Sequence, residues 1–124
     1  MSNAQMTNLD IRCAELGREL ADISGMEEKI LNAALTVLEE QGPYAMFLYL
    51  QARHSNVAGC INSASLQFLQ TVFDNKLNGV NDDVLEAVKR LADDLDDLLF
   101  ARDLLRTALS YARYHLKAKS GGSS

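Results

Sequence analysis

The sequence is poor in residues that break helices. Its 124 residues include one Pro and seven Gly, and Trp is absent. Sandwiches and barrels need many tight turns, which Gly and Pro commonly supply, so the composition argues against an all-β fold. No apolar run approaches the ~18 residues of a transmembrane helix. The first residues also lack the basic start and apolar core of a signal peptide. We therefore expect a cytoplasmic protein with no membrane partner.

Cysteine and positive charge are scarce as well. The two cysteines, Cys13 and Cys60, are far apart and form no CxxC pair, which argues against a disulfide framework and against a zinc site. We expect both to be small buried hydrophobic residues. The net charge of −5 disfavours a protein whose whole surface coats nucleic acid or anionic lipid, although it leaves room for a local basic patch.

The overall amino-acid composition is that of one globular domain. Hydrophobic residues make up 48% and charged residues 23%, close to the average of folded proteins. Single domains commonly have ~100–150 residues, which excludes a second domain here. We expect one helical domain over residues 6–119, with flexible ends at 1–5 and 120–124.

Apolar side chains recur at intervals of three and four residues along most of the chain. This period predicts an all-α protein, a single compact bundle of five or six helices. The first helix is predicted over Leu9–Ile23, on the outside of the bundle. Ser24 and Glu27 have the spacing of a capping box for a second helix, which is expected to end before Gly42.

The third helix is predicted to begin at Pro43 and to include the run from Tyr44 to Ala52, which has almost no polar side. We expect this helix at the centre of the bundle, packed on all sides. The stretch from Arg53 to Gly59 reads as a loop, and the helical period returns from Ser63.

The last third of the chain has strong helix-start signals. Asn81 is the expected cap, with Asp82 and Asp83 in the first turn, where carboxylates favour the positive end of the helix dipole. Residues 81–118 form either one long helix or two helices with a break near 100–103. We favour the break, because the domain is small.

The motifs of the common enzyme classes are missing. The chain has no phosphate-binding glycine loop, no GxSxG elbow and no HExxH pair. The run from Asp93 to Asp97 resembles a DDxxD magnesium motif. With Leu95 and Leu98 facing inward, however, helical spacing turns Asp93, Asp96 and Asp97 toward solvent, so we interpret the run as a hydrated acidic face. His54 and His115 lack the spacing of metal ligands. We therefore expect no enzyme activity, no metal and no cofactor.

Charge is strongly polarised near the C-terminus. Residues 80–103 contain eight acidic and three basic residues, whereas residues 104–119 contain four basic residues and no acidic one. At 100° per residue, four cations fall within about 60° of one another. These are Arg102, Arg106, Arg113 and Lys117, which we call the basic stripe. Such a stripe can follow a phosphate backbone, and Tyr111 and Tyr114 would add stacking surfaces.

Two stretches together resemble the small helical subunit of type III-B CRISPR effector complexes. The first runs from Glu28 through Gln41-Gly42 into the apolar run at 45–50 and ends at Arg53. The second begins with Leu98-Leu99-Phe100-Ala101 and continues through an Ala/Leu-rich middle to Tyr111 and Arg113. Together the two stretches cover 42 of the 124 residues.

The resemblance implies a non-catalytic subunit that stacks with copies of itself and with other CRISPR effector subunits along the guide RNA and its target. It implies Arg53, Arg113 and Lys117 as contacts to the RNA backbone. An alternative rests on the residues alone. A 4-3 apolar seam runs from Val84 to Leu116 and could pair with a second copy, as in a free-standing homodimeric helical adaptor.

Overall fold

The described residues form six helices. A computed structural model of the protein describes the backbone of residues 2–81 and 83–121 and the side chains of residues 8–81 and 83–120. In chain order the helices are α1 (Ser2–Ala21), α2 (Glu28–Gln41), α3 (Pro43–Arg53), α4 (Ser55–Val72), α5 (Val84–Leu91) and α6 (Leu95–Gly121). The same residues contain no strand, which confirms the predicted all-α bundle.

Helix α1 begins earlier than the sequence suggested. It starts at Ser2, so the backbone of residues 2–5, which we expected to be loose, is helical. Met1 and residues 122–124 lie outside the described residues. The helix ends at Ala21, and Gly25 turns the chain with a left-handed φ of 90°. This conformation has little steric cost for glycine, because it has no Cβ.

The junction between α2 and α3 forms as predicted, but the start of α2 does not. Gly42 has a φ of 97°, its N–H donates to the carbonyls of the last turn of α2, and Pro43 occupies the first position of α3. At the other end of α2, Glu27 takes the N-cap position without a side-chain hydrogen bond. The predicted capping box of Ser24 and Glu27 is therefore wrong, because Ser24 lies in the preceding turn.

Helix α3 is central, although one of its sides is open. It contacts α2, α4, α5 and α6, and Met46, Phe47 and Leu50 are almost completely buried. Tyr44 and Leu48, in contrast, are 41% and 49% exposed. The prediction of a helix packed on all sides is wrong for that face. An apolar sequence does not by itself fix which side meets the core.

The loop expected at Arg53–Gly59 is reduced to one residue. His54 separates α3 from α4, and α4 already begins at Ser55. The reason is that Val57 and Ala58 continue the buried apolar side of α4, with exposures of 0% and 3%. The polar and small residues that suggested a loop lie on the exposed side of the same helix.

The acidic residues decide where the last two helices begin. Asp83 caps α5 by accepting a hydrogen bond from the N–H of Leu85 at 3.0 Å, so the predicted cap at Asn81 is wrong, and Asp82 lies outside the described residues. The chain does break, but at residues 92–94 instead of 100–103. Asp94 caps α6 by accepting hydrogen bonds from the N–H groups of Asp96 (2.9 Å) and Asp97 (3.4 Å).

Helix α6 packs side by side with α1. Both helices run in the same direction, because the Cys13 thiol lies 3.6 Å from the Leu104 carbonyl and Lys119 bonds to the Ala21 carbonyl at 3.4 Å. At Gly17 the backbone of α1 lies close against the backbone of α6. As predicted, α1 lies at the edge of the bundle, where its other neighbour is α4.

The interior is built from aliphatic side chains of all six helices. Its completely buried residues include Leu38, Phe47, Leu50, Val57, Leu69, Ala87, Ala108 and Ala112, each 0% exposed. Within the described residues, no helix combines the length and the hydropathy that a bilayer crossing requires.

Candidate nucleic-acid interface

The basic stripe lies on the side of α6 that faces α2. Helix α6 is continuous from Leu95 to Gly121, so the helical spacing assumed for the stripe holds in the structure. Arg106 and Lys117 reach carboxylates on α2, and Arg113 lines a groove between the two helices. The sequence did not indicate these partners.

Arg106 is held by acidic residues on two sides. Its Nε donates to Oε2 of Glu39, and one of its terminal nitrogens lies 3.3 Å from Oε1 of the same carboxylate. Another terminal nitrogen lies 3.3 Å from a carboxylate oxygen of Asp103, one turn earlier on α6. The Arg106 side chain is 37% exposed, so the pairs lie at the surface.

Lys117 makes the matching contact at the other end of α2. Its Nζ lies 3.3 Å from Oε2 of Glu28, and both side chains are largely exposed. An exposed ion pair contributes only ~0–1 kcal/mol, because water screens the attraction and ordering the side chains costs entropy. A phosphate of a bound RNA can therefore replace either carboxylate at small cost.

Arg102 and Arg113 differ from these two. In both, Nε is buried and has no hydrogen-bond partner among the described residues. A buried donor without an acceptor costs about 1–3 kcal/mol. Arg113 lines an open groove between α2 and α6 together with Arg106, Ser110 and Thr36. The carboxylates of Glu39 and Glu40 line the same groove, and Arg102 is not part of its lining.

Arg53 is separate from the stripe. It is exposed at the C-terminal end of α3, and it takes part in none of the ion pairs between described residues. The two tyrosines also differ. The hydroxyl of Tyr111 donates to Asp10 on α1 at 2.9 Å, and this bond raises the pKa of Tyr111. Tyr114 is 68% exposed and is the aromatic ring available for stacking.

The acidic run does not form a metal site within the described residues. No group of three or more potential ligands from His, Cys, Asp and Glu occurs there. Asp93 and Asp96 are exposed, as predicted. The prediction is wrong for Leu95, which was expected to face inward and is 66% exposed, and for Asp97, which is partly buried and pairs with Lys76. This pair ties the turn after α4 to the start of α6.

The remaining candidate residues have structural surroundings. His54 packs edge-on against Tyr49, with ring centres 5.7 Å apart. Cys13 is buried as predicted, and burial, with the nearby Asp10 charge, raises its pKa to about 11. Cys60 is exposed, so the prediction that it is buried is wrong. It lies on the polar side of α4.

Comparison of the chain with protein-family models, with curated proteins and with solved structures gives no match. The chain's own residues offer a grouped set of cations on α6, two of which have a buried Nε without an acceptor among the described residues.

Proposed function

We propose that the chain is a non-catalytic scaffold subunit of a type III CRISPR RNA-guided effector complex. In this role it stacks along the duplex of guide and target, next to copies of itself and larger subunits. The basic stripe contacts the RNA backbone, and Arg53 is a separate contact. The observation that carries the proposal is the alignment of four cations along one side of the continuous helix α6.

Three further features support it. The all-α architecture agrees with the family that the sequence resembles. The cations of the stripe span 16 residues of one helix, a rise of about 22 Å at 1.5 Å per residue, which is long enough to touch several phosphates. The pairs of the stripe with Glu28 and Glu39 are exposed, so they compete only weakly with RNA.

The same geometry explains why the isolated chain should bind RNA weakly. Two of the four cations already have carboxylate partners, and the net charge of −5 repels a polyanion. Several copies that align their stripes along one RNA would add their contacts. We therefore expect useful affinity in the assembled complex and little in the free chain.

The test is reversal of the stripe. The triple variant Arg106→Glu, Arg113→Glu and Lys117→Glu is assembled with guide RNA and the other subunits, and RNA affinity is measured at several salt concentrations. Each lost phosphate contact should lower the slope of log affinity against log salt by about 0.7–0.9. An intact complex with unchanged affinity and slope would refute the RNA contact.

The second candidate from the sequence, a homodimeric helical adaptor, rests on the seam from Val84 to Leu116. In the structure most of this seam is used inside the molecule. It is interrupted at residues 92–94, and Leu105 and Leu109 are buried against other helices, while Leu95 is 66% exposed. The seam as a whole therefore does not favour a second copy as partner.

A further inference from the structure

A continuous groove runs along the surface between α1 and α4. It consists of three cavities with volumes of about 310, 680 and 300 Å³. Glu19 and Gln67 line both the first and the second cavity. Arg12 and Thr71 line both the first and the third, so the cavities join end to end. On α4 the groove extends from Ser55 to Thr71, which is about 24 Å at 1.5 Å per residue. We call it the α1–α4 groove.

The α1–α4 groove has an apolar floor, and its α4 wall is low and uncharged. Leu16 of α1 and Phe68 of α4 line its middle and are almost completely buried, so they form the floor. Helix α4 has no charged residue among its 18. Its wall includes Gly59 and Ser63, and a Cβ built at Gly59 meets no atom within 4 Å. Another backbone can therefore approach α4 closely here.

The α1 wall carries two carboxylates without an ion-pair partner among the described residues. Glu15 and Glu19 are exposed, line the same cavity and are one helical turn apart. None of the ion pairs between described residues includes either of them, or Arg12 beside them. An apolar floor next to unpaired carboxylates is complementary to a helix whose apolar side is flanked by cations.

We infer that the α1–α4 groove binds an amphipathic helix of another protein. The apolar side of that helix lies on the floor of the groove, and its Lys or Arg side chains reach Glu15 and Glu19. The length of the groove accommodates about four helical turns. Because the two glutamates are four residues apart on α1, a helix lying alongside matches them when its cations are also four residues apart.

Two other occupants fit the α1–α4 groove less well. RNA is disfavoured because its phosphates would face the two glutamates. A second copy of this chain offers cations four residues apart only as Arg102 with Arg106 and as Arg113 with Lys117. Arg106 and Lys117 already pair with carboxylates on α2. A second copy would therefore have to break one of its own ion pairs, whereas a different protein need not.

Helix α1, one wall of the groove, lies across α6 from the basic stripe. Helix α2 packs on the side of α6 that carries Arg106 and Lys117, and α1 packs on the side that carries Ala108 and Ala112. At 100° per residue these two sides are about 150° apart. RNA on the stripe would thus leave the groove open. The inference goes beyond the proposed function and does not depend on it.

The test uses the purified full chain without RNA and two synthetic helical probes of about 18 residues, built from Ala with a stripe of Leu. One probe carries two Lys four residues apart beside the Leu stripe, and the other carries two Glu at the same places. Fluorescence anisotropy of the labelled probes gives the dissociation constants. The wild-type chain should bind the Lys probe about tenfold more tightly, because two exposed ion pairs, worth up to about fivefold each, replace two repulsions.

Charge reversal separates the groove from the net charge of the chain. The double variant Glu15→Lys and Glu19→Lys should reverse the preference and bind the Glu probe more tightly. Its control is Glu40→Lys with Asp74→Lys, which makes the same change of net charge at two exposed residues outside the groove and should keep the wild-type preference. Circular dichroism checks that each variant is folded.

Three results would overturn the inference. The first is equal affinity of the groove variant and the control variant for the Lys probe. The second is no binding of either probe at millimolar concentration. The third is a dimer of the chain alone, measured by sedimentation, that the groove variant dissociates and the control variant does not, because a second copy would then occupy the groove.

Discussion

Replacement of Gly17 by Ala tests the packing of α1 on α6 directly. A Cβ at Gly17 would lie 2.6 Å from the Cβ of Tyr111, 2.7 Å from the carbonyl oxygen of Ala108 and 2.8 Å from the nitrogen of Ala112. Packed carbon atoms normally stay about 3.5–4.0 Å apart, so α1 must move away by about 1 Å. Two of the three atoms belong to the backbone of α6 and cannot rotate aside.

The magnitude follows from two opposing effects. Forcing an extra methyl group into a packed contact costs about 1–3 kcal/mol, and backbone contacts place this case at the upper end. Ala is favoured over Gly inside a helix by about 1 kcal/mol. We therefore expect Gly17→Ala to lower the free energy of unfolding by about 2 kcal/mol, the overpacking cost less the gain in helix propensity.

Gly59→Ala is the matched control. It makes the same change inside a helix where a Cβ meets nothing within 4 Å, so it should raise the free energy of unfolding by about 1 kcal/mol. Urea unfolding followed by circular dichroism at low protein concentration measures both variants. A loss of stability for Gly17→Ala and a gain for Gly59→Ala would show that α1 and α6 approach closely at Gly17. A Gly17→Ala protein as stable as the wild type would refute the packing described here.

Two other predictions concern the core and the thiols. Phe47→Ala should lower the free energy of unfolding in urea by about 3–5 kcal/mol, and the adjacent Leu48→Ala should lower it much less, because Phe47 is 0% and Leu48 49% exposed. Similar losses of stability for the two variants would contradict the central position of α3. Folding raises the pKa of Cys13 from 9.0 to about 11, so the folded state favours the protonated thiol and stability should fall as pH rises through this window. In the Cys13→Ala variant, stability should decrease less as pH rises through this window, because the thiol is absent. The same pH dependence of stability in the variant and the wild type would contradict the raised pKa of Cys13.

The helices were predictable from the sequence where apolar period and burial agree. Leu105 and Leu109 have the spacing of a buried side, and the structure buries both. The predictions were wrong where the same residue type is common in two different structural settings, such as a loop and the exposed side of a helix. Gly59 looks like a loop signal, yet it lies on the open side of α4. Asp94 looks like one more solvated acid, yet its side chain accepts the hydrogen bonds that start α6.

The stripe was predictable as a set of cations, but its neighbours were not. One signal was available in the sequence. Glu28 and Glu39 are eleven residues apart on α2, and Arg106 and Lys117 are eleven residues apart on α6. Equal spacing of opposite charges fits two antiparallel helices, in which Glu39 meets Arg106 and Glu28 meets Lys117. Choosing that pairing from sequence requires knowing that α2 and α6 are neighbours, which depends on the whole fold.

The most direct test of the proposed RNA contact is to release Arg106 from its partner. Glu39→Gln removes one of the two carboxylates that hold Arg106, the other being Asp103, and leaves the stripe itself unchanged. Glu86→Gln is the control, because it makes the same charge change beside Lys89 on α5. In the assembled complex, Glu39→Gln should bind RNA more tightly than Glu86→Gln by up to about fivefold, because an exposed ion pair is worth ~0–1 kcal/mol. Equal affinities for the two variants would contradict the proposal that the stripe contacts RNA.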